Sequence, residues 1–139
     1  MPGPEFLFRN AAGELHAEPA GYVRVVWGPG PREAAEVQAV FEQMLLALRQ
    51  RTWSRILIDQ TRMPPFTGPE QVWIATDWLP RAVREGGYRF GAVVVSPTVL
   101  VRLATAFITT SVQGLPLVYR SFDQEADAIN WLLRQPARP

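Results

Sequence analysis

Three runs rich in β-branched residues, Arg55–Asp59, Ala92–Ser96 and Leu117–Tyr119, alternate with segments of helical periodicity. Neighbouring parallel strands need a connection of a dozen residues or more, usually a helix. Strand–helix–strand alternation therefore implies a parallel sheet with helices packed on it. This pattern sets the fold class and names no reaction.

The opening of the chain has a different rhythm. Glu5–Asn10 reads as a strand, Leu15–Glu18 as a short second one, and Tyr22–Trp27 as a third with Val23, Val25 and Trp27 on one face. Connections of only a few residues make these strands antiparallel. Gly28-Pro29-Gly30-Pro31 stops the third strand, and a helix follows from Pro31 or Arg32 to about Gln50. Its apolar stripe is Val37, Val40, Phe41, Met44, Leu45 and Leu48. A second helix is expected from about Glu70 to Glu85, with Val72, Ala75, Thr76, Leu79 and Val83 inside and Pro80 as a kink or break. A third spans Thr98–Val112, with Ser96 as its cap and Pro97 at its first position. The last runs from near Asp123 to Arg134, with Phe122, Ala126, Ile129 and Leu133 toward the sheet, and Pro136–Pro139 reads as a loose tail. The expected fold is one α/β domain: a mixed sheet with antiparallel N-terminal strands and parallel crossover strands, flanked by about four helices.

Composition narrows the function classes. A chain of 139 residues fits one domain. Its 14 basic and 13 acidic residues nearly cancel, which argues against a nucleic-acid partner. With no cysteine and a single histidine, His16, thiolate chemistry, disulfides and multi-histidine metal sites are excluded within one chain. The N-terminus lacks the basic and apolar regions of a signal peptide, and the longest apolar stretch, about Gly91–Val101, is too short for a membrane span of about 20 residues. The expectation is a cytoplasmic protein without an integral membrane segment and without a cofactor.

Three local features carry a resemblance. The strand Ile56-Leu57-Ile58-Asp59 ends in an aspartate before a loop and a helix bearing Trp73 and Trp78. Gly91-Ala92-Val93-Val94-Val95 runs directly into a helix. The chain closes on strand, Phe122, an acidic cluster, then Ala126, Trp131 and Leu132. Over roughly Tyr22–Gln135 this order resembles the STAS superfamily, in particular its SpoIIAA-like branch, which shares a fold with the lipid-carrying CRAL-TRIO domain. The resemblance implies a non-enzymatic regulatory or protein-interaction domain, with binding of a small apolar ligand or lipid as the alternative. One departure stands out. Regulatory STAS domains carry a phosphorylated serine in an Asp-Ser-Ser/Thr-Gly-like segment, whereas here the stretch is Asp59-Gln60-Thr61-Arg62-Met63-Pro64, without serine or glycine.

The candidate site residues follow from these elements. Asp59 sits at the carboxyl end of a strand, where open α/β sheets bind ligands, or else it caps its own loop. Thr61 is the hydroxyl beside it. Trp73 and Trp78 fall off the expected inner stripe, so they line a ligand pocket, cover the loop Met63–Phe66, meet another subunit, or pack within the monomer. With Phe66 and Phe107 they are the residues an apolar pocket would use. The helix Thr98–Val112 is apolar around much of its girth, with Leu100, Leu103, Ala104 and Phe107 on one stripe and Val101, Ile108 and Val112 on another. The second stripe is the expected homodimer interface. No nucleophile and base are spaced to converge, and no enzyme activity is expected.

Overall fold

Every strand lies beside its neighbour in sequence. A computed structural model of the chain describes residues 3–112 and 114–138. One six-stranded sheet has the order β1 (Glu5–Arg9), β2 (Gly13–Glu18), β3 (Tyr22–Trp27), β4 (Arg55–Asp59), β5 (Phe90–Val94) and β6 (Val118–Phe122). The first two pairings are antiparallel and the remaining three parallel. The fold is the α/β mixed sheet that the alternation predicts.

The sequential order decides where the helices go. Three crossovers that step across the sheet in one direction, each of the same hand, lay their helices on one face. That face carries α1 (Ala34–Arg51), the continuous segment made of α2 (Gly68–Trp73), a π turn (Ile74–Trp78) and α3 (Leu79–Gly86), and then α4 (Val99–Thr110). Their buried side chains join Val23, Val25, Trp27, Ile56, Ile58 and Val93 in the main core. The last helix, α5 (Glu125–Leu133), covers the opposite face alone, over Tyr22, Leu57, Ala92 and Val94. The outer face of β2 and β3 beyond it is polar: Glu18 and Arg24 pair at 3.2 Å, and Arg24 also reaches Glu125 of α5.

Helix α1 buries the six residues its spacing predicts. Two other helices depart from their predicted stripes. In the second segment Val72 and Thr76 are exposed, whereas Glu70, Ile74, Trp78, Leu79, Ala82 and Val83 are buried. The cause is Pro80. It has no N–H, and its ring crowds the carbonyl four residues back. The turn before it widens, with the Leu79 N–H bonding the Ile74 carbonyl. In an α-helix a spacing of four drifts about 40° per step. The wide turn absorbs that drift and keeps positions 70, 74, 78, 82 and 86 on one side. In α5 the buried residues are Ala128, Trp131 and Leu132, while Ala126 and Leu133 are exposed. Phe122, expected on this helix, belongs to β6 instead.

The C-terminal segment is held rather than loose. Ser54 donates its hydroxyl to the Pro136 carbonyl at 2.6 Å and its N–H to the Ala137 carbonyl at 2.8 Å. Next to it, the buried Arg55 guanidinium donates to the carbonyls of Ala20, Gly21, Leu132 and Gln135. One cation thereby ties the β2–β3 turn and the carboxyl end of α5 to the start of β4, where a positive charge also favours the helix dipole.

Candidate functional site

Ligands of open α/β sheets enter at the carboxyl ends of parallel strands, in a crevice formed where the strand order reverses. This sheet never reverses, so no such crevice forms. The strand ends carry instead a shallow groove lined by Thr61, Val95, Ser96, Pro97, Arg102 and Asp123. Asp59 stands beside it, committed to its own loop. One carboxylate oxygen accepts the Thr61 N–H at 2.9 Å and the Thr61 hydroxyl at 2.6 Å. That is an Asx turn, and it satisfies the backbone where the strand breaks off. Ser96 is buried, and its hydroxyl oxygen accepts the Thr98 N–H at 3.0 Å. The N-cap of α4 is Thr98 rather than Ser96, and the helix begins at Val99. Among the described residues no group of three His, Asp or Glu is placed to hold a metal ion.

The expected apolar pocket does not assemble as predicted. Phe66, Trp73 and Trp78 do come together, around Phe41, with ring centroids 5.9, 6.0 and 4.8 Å from it. Trp78, however, is 0% exposed, and its indole N–H donates to the Phe41 carbonyl at 2.8 Å. It is a core residue, brought inside by the π turn, and Trp73 covers the rim of the same cluster half-buried. Phe107 lies elsewhere, out on α4. The interior beside this cluster holds a cavity of about 30 Å³, enough for a water molecule. Trp27, Phe41, Ile58, Phe66 and the hydrogen-bonded pair Gln60–Thr105 line it, the pair at 2.8 Å.

A nearly buried ion pair ties the segment before α1 to α2. Arg32 donates to Glu70 at 2.9 Å, both side chains being under a tenth exposed, and its guanidinium lies over the Phe66 ring. Glu70 also accepts the Thr67 N–H at 2.9 Å, while Thr67 accepts the Glu70 N–H, a reciprocal cap on α2. Nothing in the sequence periodicity points to the pair, although Thr67 followed three residues later by Glu70 is the spacing of a capping box.

The surface of α4 reverses the sequence expectation. Val101 and Ile108 are 1% and 6% exposed, packed into the main core, and Val112 is partly buried against it. They are not free to meet a second chain. The reason lies beneath them. The Tyr88 and Tyr119 rings fill the sheet surface over Gly91, where even a Cβ would overlap both. Val101, Ala104 and Ile108 take the inner face of the helix, and Thr105 and Ile108 line the small cavity beside Tyr119. The others turn outward: Val99, Leu100, Leu103 and Phe107 are 65%, 65%, 60% and 50% exposed.

Comparison with known proteins adds no relative: no protein-family model matches the chain, and neither a curated protein nor a solved structure is significantly similar to it. Among the described residues no helix is long and apolar enough to cross a membrane.

Proposed function

We propose that the chain is a non-enzymatic, STAS-like interaction module of the cytoplasm that works through protein contacts made by α4. One observation carries this reading: four large apolar side chains in a row on one helix stand half or more in water. Contiguous apolar surface of that kind marks interaction sites, whereas scattered apolar residues need no explanation. The sheet order, with opening antiparallel strands and sequential parallel crossovers, supports the STAS-like part. The engaged state of Asp59, Thr61 and Ser96 supports the non-enzymatic part: one Asp59 oxygen holds the Thr61 N–H and hydroxyl, and Ser96 holds the Thr98 N–H.

The lipid-binding alternative requires a cavity of roughly 300 Å³ or more. The interior offers about a tenth of that. Native mass spectrometry of protein purified from its own cells separates the two readings. The module reading expects masses that are sums of polypeptides. A chain carrying a few hundred extra daltons of extractable apolar compound overturns it.

A further inference from the structure

We infer that the occupant of the α4 face is a second copy of this chain, docked through an antiparallel α4–α4 contact about a two-fold axis passing between Leu103 and Phe107. The inference rests on the interaction-module reading and supplies its partner.

The first argument is area. At the exposures given above, Val99, Leu100, Leu103 and Phe107 leave about 450 Å² of apolar surface in water, within the range of about 300–600 Å² for the largest, often functional, patch on a monomer. A standard interface takes about 800 Å² from each side, and homodimer interfaces are about 65% apolar, or about 500 Å² of apolar surface. The stripe matches the apolar part of one such interface.

The second argument is charge. Arg102 is the only charged residue on α4. It lines the strand-end groove together with Asp123, away from the groove that Leu100 and Leu103 line. A face without charge has no feature that selects a partner of opposite sign. It also meets its own image without like-charge repulsion, as a two-fold interface demands.

The third argument is shape. Val99, Leu103 and Phe107 form an i, i+4 ridge, the kind that interdigitates with an identical ridge at a crossing of about −50°. On the flank of the ridge, Pro65, Phe66, Gln71, Leu100, Leu103 and Ala104 line an open groove between α4 and the preceding loop and helix. An axis between Leu103 and Phe107 sets the Phe107 ring of each copy over Leu103 and this groove of the other. An aromatic anchor in an apolar pocket is the usual source of binding energy in an interface.

The test is sedimentation velocity on the full chain from about 1 to 100 µM, a span that covers micromolar dissociation constants. Wild type is expected at twice the chain mass of 15.6 kDa at the upper end. Leu103→Asp and Phe107→Asp are each expected at 15.6 kDa throughout, with dissociation constants raised at least about 100-fold by burying a carboxylate. Both positions are exposed, so thermal unfolding and near-ultraviolet circular dichroism should show intact folds. Leu46→Asp, at an exposed apolar position on α1, should stay dimeric. A dimer that survives Leu103→Asp and Phe107→Asp overturns the interface. A wild-type monomer at 100 µM overturns the second copy as occupant. In that case a foreign polypeptide in native mass spectrometry leaves the module reading standing, and an apolar small molecule ends both.

Discussion

The helical segments 68–86 and 99–110 lie side by side on the same face of the sheet, and each offers more apolar residues than one stripe can hold. The first brings its largest side chain, Trp78, to full burial. The second leaves its largest, Phe107, half in water. Propensity and hydrophobicity do not separate the two cases. What separates them is the room beneath each helix. Under the first, Phe41 and Tyr88 stand apart far enough to receive an indole between them, at 4.8 and 5.9 Å between ring centroids. Under the second, Val101, Ala104 and Ile108 already occupy the inner face, above the edge-to-face Tyr88 and Tyr119 rings that crowd Gly91. Apolar residues on a helix are pulled inward only as far as the opposing surface has space.

The sharpest way to break this comparison is Trp78→Ala. It removes a fully buried indole and its hydrogen bond to the Phe41 carbonyl, so a loss of about 3 to 5 kcal/mol, the range for large-to-small aromatic truncation, is expected in urea denaturation. A loss below about 1 kcal/mol would contradict full burial of the ring. Glu70→Ala should come next. It leaves Arg32 nearly buried without its counter-charge and removes one half of the α2 cap, for an expected cost of about 3 kcal/mol. If the pair merely decorates the surface, the cost will fall to about 0.5 kcal/mol.

Alkaline pH probes the tyrosine layer that turns the α4 residues outward. Burial pushes the Tyr88 phenol well above its ordinary value, and burial raises Tyr119 as well. The folded state therefore holds protons that the unfolded chain releases near pH 10. Stability is complete below that pH and declines above it, with a slope approaching about 1.4 kcal/mol per pH unit for each tyrosine. Urea midpoints measured between about pH 9 and 11.5 should fall, and Tyr88→Phe should flatten the decline. A flat wild-type profile would mean that both phenols reach water.

The positions of the elements were legible in the sequence; the faces of three helices were not. Pairing sense followed from loop lengths and the alternation of patterns, because it depends on local chain connectivity; the strand order came from the structure. Helix α1 was legible down to its buried residues, since it has one apolar stripe and a polar remainder. The stripes of the second segment, α4 and α5 were misread for different reasons. Pro80 re-phases a helix through a turn that no fixed period of 3.6 anticipates. In α4 two stripes compete, and the core that decides between them includes Tyr119 of β6 and Tyr88 of the loop before β5. In α5 the aromatic Trp131 is drawn between Phe90 and Phe122, two side chains on different strands. Of the candidate site residues, Asp59 was readable as a cap on its own loop; that its partner is Thr61, the hydroxyl expected to face a ligand, was not. Arg55, a charged residue inside an apolar strand, was visible in the sequence; its role as a cation satisfied by carbonyls depends on segments 34 to 80 residues away.

The smallest expected effect closes the comparison from the other side. Phe107→Ala should leave the stability of an isolated chain within about 0.5 kcal/mol of its parent, the usual range for an exposed position. The experiment belongs in the Leu103→Asp background, so that any second copy is absent and only packing within one chain is measured. Under those conditions Phe107 is surrounded largely by water, and its truncation removes little that the unfolded chain does not also lose. In the wild-type background the same truncation should instead make the melting temperature depend on protein concentration differently from its parent, since a contact between copies stabilises by mass action. A loss above about 2 kcal/mol in the single-chain background would put Phe107 in the core. The space beneath α4 would then be larger than the tyrosine layer allows, and the distinction between the two helices would collapse.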